Sequence, residues 1–220
     1  MECVYCKNNC IKKGKYKTIQ RYQCKQCKRY QQQQYSKLII PKDKYDWVLK
    51  LNNEGCGISS IGRLLEIAKS SVQRVIARIA SKIQIPIYFE SNQSYEMDEL
   101  RTYCGNKKNE CWVMYTINKI SGKVIDFCVG RRTKANIEQV VSTVLQLNPK
   151  RIYTDGLNVY PTLIPKHIHK VFRYCTNKIE RHNLTLRTHV RRLFRKTICF
   201  SRSCRMMESC LKMYWFGVGN

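Results

Sequence analysis

The sequence predicts an α/β domain built on a mixed sheet with flanking helices, preceded by two small modules. Three observations predict it. Two Cys-x-x-Cys pairs stand in a strongly basic amino-terminal segment. Apolar residues between 43 and 82 recur at helical spacing. Beyond residue 93, three alternating strand-like runs are followed by helical and strand-like segments in turn.

The first module spans residues 1–40. Cys3-Val-Tyr-Cys6 and Cys24-Lys-Gln-Cys27 are separated by 17 residues. A Cys-x-x-Cys turn presents both sulfurs to one ion, and two such turns complete a tetrahedron with Zn–S near about 2.3 Å. Cys3, Cys6, Cys24 and Cys27 are therefore expected to hold a structural zinc ion in a zinc ribbon, with Cys10 a spare: a free thiol, or a weak alternative ligand. Residues 1–40 carry ten Lys/Arg and one acid, Glu2. A segment so basic buries little core, so metal binding has to supply its folding energy. Gln31 to Gln34 reads as a polar linker, ended by Pro41.

The second module spans residues 41–85. DKYDWVLKLNNEG places Tyr45, Val48 and Leu49 on one stripe and stops at Gly55 and Gly57. ISSIGRLLEIA follows with Ile61, Leu64 and Leu65. KSSVQRVIARIASKI opens on a capping-box pattern, Ser70 to Gln73, and turns Val72, Val75, Ile76 and Ile79 inward. Two short helices joined by a tight turn, the second polar and basic outside, describe a helix-turn-helix. A purely structural bundle shares this periodicity; the basic charge favours DNA. Gln73, Arg74 and Arg78 are the candidates for contacting bases or phosphates.

The third and largest part spans residues 86–220. SYEMDELRTYC, ECWVMYTIN and VIDFCVG read as three strands joined by the turns GNKKN and KISGK. KANIEQVVSTVLQL is an amphipathic helix ended by Pro149. RIYTDG is a fourth strand, NVYPTLI a short helix or turn, and KVFRYC a fifth strand. Residues 177–195 form a long helix with Ile179, Leu186, Val190 and Leu193 as its buried stripe. This order is that of an RNase H-like fold, in which the first and fourth strands are neighbours.

Composition bounds the partners. The chain has 220 residues, 41 Lys+Arg against 15 Asp+Glu, and a formal charge of +26. Solubility asks only for a net charge of roughly 2–8 in a small domain. Such an excess points to a polyanion, because each phosphate neutralised releases a condensed counterion. No apolar run is long enough to span a membrane, and no signal-peptide core opens the chain, so a cytoplasmic, nucleoid-associated protein is expected. Thirteen cysteines, an odd number with one paired cluster, fit a reduced compartment and one metal site better than a disulfide framework.

Against that basic background three acids stand out: Asp98 in the first strand, Asp155 at the carboxyl end of the fourth, and Glu180 early in the long helix. The strand order makes Asp98 and Asp155 neighbours, and the helix brings Glu180 to them. Each acid alone has an ordinary explanation, as an edge-strand charge, a turn aspartate before Gly156 and a helix first-turn acid. Their joint placement does not. Carboxylates suit magnesium or manganese, and two such ions about 4 Å apart clamp the attacking and leaving oxygens of a phosphoryl displacement. Arg187 and Arg191, at i+7 and i+11 from Glu180, would track the phosphate backbone. Alternation turns Glu99 away from Asp98, as a structural residue, and Asp126 falls on a strand outside the metal-bearing pair.

The motifs YEMDEL, YTDGLNVY, NKIERHNLTLRTHVRRLFRKT and CFSRS resemble the transposases of the insertion-sequence-one family, a bacterial group of DDE enzymes, and the resemblance runs over essentially the whole chain. It implies that Asp98, Asp155 and Glu180 are the catalytic triad. It implies cleavage and strand transfer at the element's own terminal inverted repeats, with double-stranded DNA as partner and a homo-oligomer pairing two ends. Two positions depart from some relatives: Arg101 replaces a Trp, and Met207 replaces a His. Two other readings stay open at this level: a DNA-binding regulator with an inactive catalytic domain, and an RNase H-like nuclease without transposition.

Overall fold

The computed structural model describes residues 1–16, 18–32, 40–172, 174–194 and 201–217. They form two compact units, Met1–Ile40 and Pro41–Asn220.

The first unit is a three-stranded antiparallel sheet, β1 (Cys10–Tyr16), β2 (Ile19–Cys24) and β3 (Tyr30–Gln32), in that order. β1 is almost wholly exposed, as its run of lysines demands. The polar tract expected to be a linker is partly structure. Gln31 lies in β3 and is buried; its side chain accepts from the Val4 N–H at 2.9 Å and donates to the Glu2 carbonyl at 2.7 Å. An amide that satisfies two backbone groups at once serves as core where apolar residues are scarce. The rest of the tract, residues 33–34, lies outside the described residues.

The second unit opens with three helices, α1 (Lys42–Asn53), α2 (Ile58–Leu64) and α3 (Lys69–Lys82). Val48, Ile61, Val72, Val75 and Ile76 are buried between them. The expected capping box at Ser70 does not form. The cap position is Ala68, with no side-chain cap, and Ser70 and Ser71 lie inside the first turn. Gly55, after α1, has φ +74°, and a Cβ there would come within 2.1 Å of the His189 carbonyl oxygen. Only glycine meets both conditions.

The sheet of this unit has the order β6-β5-β4-β7-β8. β4 (Ser94–Tyr103), β5 (Glu110–Asn118) and β6 (Val124–Gly130) form an antiparallel meander. β7 (Arg151–Tyr153) pairs in parallel with β4, and β8 (His169–Lys170) with β7. The first and fourth strands of this sheet are thus neighbours, as the element order predicts. The fifth is shorter than KVFRYC suggests: pairing stops at Lys170, and Val171 and Phe172 are exposed.

Alternation along the strands divides the core into two faces. Tyr95, Met97, Met114 and Ile152 pack with Ile137, Val140, Val141 and Val144 of α4 (Lys134–Leu145). Leu100, Val113, Tyr115 and Ile117 pack on the other face with Ile179 and Leu186 of α5 (Asn177–His189) and with Met207 and Leu211 of α6 (Cys204–Phe216). The result is a helix–sheet–helix sandwich, in which burying each large aliphatic side chain is worth about 1.5–3 kcal/mol. The long helix expected over 177–195 stops at His189. Val190 leaves helical geometry at φ −101°, ψ 82°, and Arg191–Leu193 form one 3-10 turn. Helix α6 was not expected. Its Met-, Cys- and Leu-containing stripe also packs against α3 and α1, and the buried Asn52 of α1 donates to the Cys210 carbonyl at 3.2 Å. The three amino-terminal helices therefore belong to the same packed unit as the sheet.

Candidate active site

Parallel pairing of β4 with β7 runs from Ser94↔Arg151 to Glu96↔Tyr153 and then ends. Two residues farther on, Asp98 remains within β4 and Asp155 stands just past the end of β7. Beyond Tyr153 the β7-side edge of β4 is uncovered, so carboxylates from both faces of the sheet meet there. One oxygen each from Asp98, Glu99 and Asp155 lies within 4.8 Å of the others.

Each carboxylate is held. Asp98 is half-buried; its Oδ1 accepts from the Glu99 N–H at 2.7 Å and its Oδ2 from Asn183 Nδ2 at 2.5 Å. Asn183 accepts in turn from the buried Tyr115 hydroxyl at 2.8 Å. Burial raises the Asp98 carboxyl above the ordinary range, and the charges of Asp155 and Glu180 raise it further against its hydrogen bonds. Asp155 is exposed and accepts from the Leu157 N–H at 3.1 Å. Glu180 projects from the first turn of α5 and accepts from the Thr176 hydroxyl at 2.9 Å. It lies outside the tight group of three, yet near enough for its charge to act on Asp98.

Glu99 is the member that strand alternation hides. It faces α4, where it accepts from the buried Tyr160 hydroxyl and lies 3.9 Å from Arg132 Nη1. Burial pushes its carboxyl up to about 7. The legible signal was a second acid beside Asp98 in an apolar strand of a basic chain; what alternation could not reveal was the open strand edge. Asp126 lies elsewhere, bonded to Thr143 of α4 at 2.6 Å.

A second buried acid, Glu96, fixes the approach of α5. Its carboxylate accepts from Lys119 Nζ at 2.7 Å and from the Ile179 N–H at 2.8 Å. The cap residue of α5, Thr176, makes no side-chain cap bond. A strand carboxylate therefore fills one of the helix's orphan donors, one residue before Glu180.

The expected nucleic-acid contacts divide. Gln73, Arg74 and Arg78 are exposed on one side of α3; Arg74 bonds within its own helix to Ser70 and Ser71, and Arg78 donates to the Tyr45 hydroxyl at 3.0 Å. Arg191 is exposed but sits in the 3-10 turn after α5. Arg187 is half-buried and donates to the carbonyls of Arg101 and Leu193 at 3.3 and 3.4 Å. His182 stacks on Trp215, and burial lowers its pKa.

In the first unit the sulfurs of Cys3, Cys6, Cys24 and Cys27 lie within 4.8 Å of one another. Cys3–Cys27 and Cys6–Cys24 contacts are 3.6 and 3.4 Å. A backbone hydrogen bond from Asn8, then the Cys24 thiol, lowers the Cys6 thiol to about 6. Four converging sulfurs, one already acidic, fit a tetrahedral soft ion.

Comparison with known proteins places this geometry in a family. Residues 93–216, more than half of the chain, match the model of the IS1 transposase domain. Among curated proteins, the iso-IS1n insertion element protein InsB of Shigella dysenteriae is 35% identical over 116 residues, 53% of this chain and 88% of that protein. The IS1 protein InsB of Shigella flexneri is 34% identical over 119 residues, 54% of this chain and 91% of that protein. Among solved structures, the HTLV-2 integrase catalytic core domain in complex with magnesium is 17% identical, with a TM-score of 0.38 over 57% of this chain and 84% of that one. The matched segment contains the whole carboxylate cluster, and on that match the chain belongs to the IS1 transposase family.

Proposed function

We propose that this transposase is a DDE enzyme that cuts and joins DNA strands at an RNase H-like site, with Asp98, Asp155 and Glu180 as its catalytic carboxylates. The observation that carries the proposal is the register of β4 on β7, which brings Asp98 and Asp155 to one open strand edge facing the first turn of α5. Hard oxygen donors this close suit magnesium or manganese. Asp98, Asp155 and Glu180 would hold two such ions, whose chemistry would be activation of the attacking hydroxyl and neutralisation of charge on the departing oxygen. The chain's own residues prepare the site. Asn183 and the Glu99 N–H aim Asp98, the Leu157 N–H aims Asp155, and Thr176 holds Glu180. Burial first, and then the charges of Asp155 and Glu180, disfavour the Asp98 carboxylate without a counter-ion, which makes the cluster a cation receptor.

In this reading, residues 1–40 are a zinc ribbon on Cys3, Cys6, Cys24 and Cys27. Residues 41–85 are a helix-turn-helix that engages double-stranded terminal repeats through Gln73, Arg74 and Arg78. Residues 86–220 are the catalytic domain. Arg191 meets the DNA backbone, and Arg187 positions that turn from below while adding positive potential. Pairing two ends calls for a homo-oligomer. Among the described residues no helix is long and apolar enough to cross a membrane.

The test is strand cleavage and transfer on DNA carrying the element's ends, with magnesium or manganese. Asp155→Asn is expected to abolish both reactions and to retain end binding in a gel shift. Full activity in that variant refutes the site, and cutting without joining in the unaltered chain identifies a nuclease instead.

A further inference from the structure

A second group of sulfurs lies far from the ribbon in sequence. Cys104 follows the last residue of β4, Cys111 is the second residue of β5, and Cys204 is the first residue of α6. Their Sγ atoms all fall within 4.8 Å of one another, with Cys111–Cys204 at 3.1 Å and Cys204–Cys104 at 3.4 Å. The four-sulfur group of the first unit shows contacts of 3.4 and 3.6 Å. The two groups are therefore equally tight.

We propose that Cys104, Cys111 and Cys204 bind a zinc ion that ties the start of α6 to the β4–β5 hairpin. Three features carry this. First, core cysteines that merely fill space have no reason to point their sulfurs at one another from three separate elements, whereas a soft cation draws them together. Second, three sulfurs within 4.8 Å of one another are one too many for a disulfide but supply the three protein ligands of an open tetrahedral zinc site, whose fourth position water would fill. Third, positive charge stands beside the group. Cys204 begins α6, where the helix dipole favours negative charge. Arg131, Arg132, Arg202 and Lys108 line the same cleft as Cys104 and Cys204, and a zinc ion with three thiolates is a net anion that these cations balance.

The backbone around the group is already fixed. The Cys104 N–H donates to the Asn109 carbonyl at 3.0 Å, closing the hairpin, and the Gly105 N–H donates to the Ser201 carbonyl at 2.8 Å, joining the hairpin to the approach of α6. The Ser203 hydroxyl caps α6 by accepting from the Met206 N–H at 3.3 Å. Because α6 also packs against α1 and α3, the ion would brace the helix that connects the catalytic sheet with the amino-terminal helices.

The experiment uses the full chain purified with reductant and zinc. Elemental analysis is expected to find a second zinc ion per chain beyond that of the ribbon. The chain combining Cys3→Ser, Cys6→Ser, Cys24→Ser and Cys27→Ser, which leaves no cysteine pair in the ribbon, is expected to keep a thiolate-to-cobalt charge-transfer band when reconstituted with Co²⁺. That band is expected to vanish when Cys204→Ser is added; the position is half-buried at a helix start, so serine is tolerated, and an unchanged circular dichroism spectrum checks the fold. If the chain lacking the four ribbon cysteines holds no zinc and shows no cobalt band, or if its band survives Cys204→Ser, the proposal is wrong. Non-reducing peptide mapping that finds two of these three cysteines in a disulfide in the freshly purified chain also overturns it.

Discussion

Removing the Glu96 carboxylate tests how the site is assembled without touching its acids. Glu96 is 1% exposed, and its two oxygens receive Lys119 Nζ and the Ile179 N–H. Hydrogen bonds to a charged group contribute about 1.5–3 kcal/mol each. The Lys119 side chain is 34% exposed and also donates to the Cys175 carbonyl at 2.8 Å, so part of its solvation is recovered when the partner is lost. The Ile179 N–H has no such recourse beneath the helix. Glu96→Ala is therefore expected to cost about 3–5 kcal/mol, the range for breaking a buried pair. Glu96→Gln keeps one acceptor and is expected to cost about 1–3 kcal/mol. Urea denaturation measures this as a fall in midpoint at unchanged slope. Because α5 carries Glu180, manganese binding is expected to weaken in the same order of variants. A loss within about 0.5 kcal/mol for Glu96→Ala, the size of an ordinary surface substitution, refutes the reasoning.

Three further outcomes follow from the same contacts. Tyr160→Phe strips a buried donor from Glu99, and chemical denaturation is expected to register a loss of about 1–3 kcal/mol; no change would mean that Arg132 alone satisfies that carboxylate. Burial raises the Asp126 carboxyl, so its folded value lies above its unfolded one. Its stabilising contribution is present below the ordinary carboxylate range and is lost as pH rises through the folded value. The melting temperature of Asp126→Asn is therefore expected to gain on the unaltered chain as pH rises from the ordinary carboxylate range, and a gap that stays constant or shrinks contradicts the raised value. Chelation of zinc, or Cys6→Ser, is expected to open residues 1–40 to protease and leave a resistant fragment beginning near Pro41; equal protection of both units argues against a metal-dependent ribbon.

Much of this molecule was legible along the chain. Local periodicity marked the meander Ser94–Gly130, helix α4 and the three amino-terminal helices, because alternation and helical stripes are properties of neighbours in sequence. Helix boundaries followed less well. Ser70 looked like a cap, but packing of Val72 and Val75 set the start of α3 at Lys69. The apolar stripe of α5 predicts a helix continuing through Leu193; Leu193 is buried, but it reaches the core through a 3-10 turn. Helix α6 is not legible along the chain because its methionines and cysteines are weak apolar signals until β5 and β6 lie against them.

By itself the sequence determined the charge, the Cys-x-x-Cys spacing, the strand and helix order, and hence that Asp98 and Asp155 stand on adjacent strands. All of these depend on residue identity and short-range geometry. Only the tertiary structure decided which side chains converge from a distance. Glu99 joins Asp98 and Asp155 because β7 stops at Tyr153 and leaves an open edge. Glu96 reaches across to cap α5, and Cys204 comes to Cys104 and Cys111 from about a hundred residues away. Such meetings depend on where strands end and helices dock, and those limits are set by packing between segments that no local pattern relates.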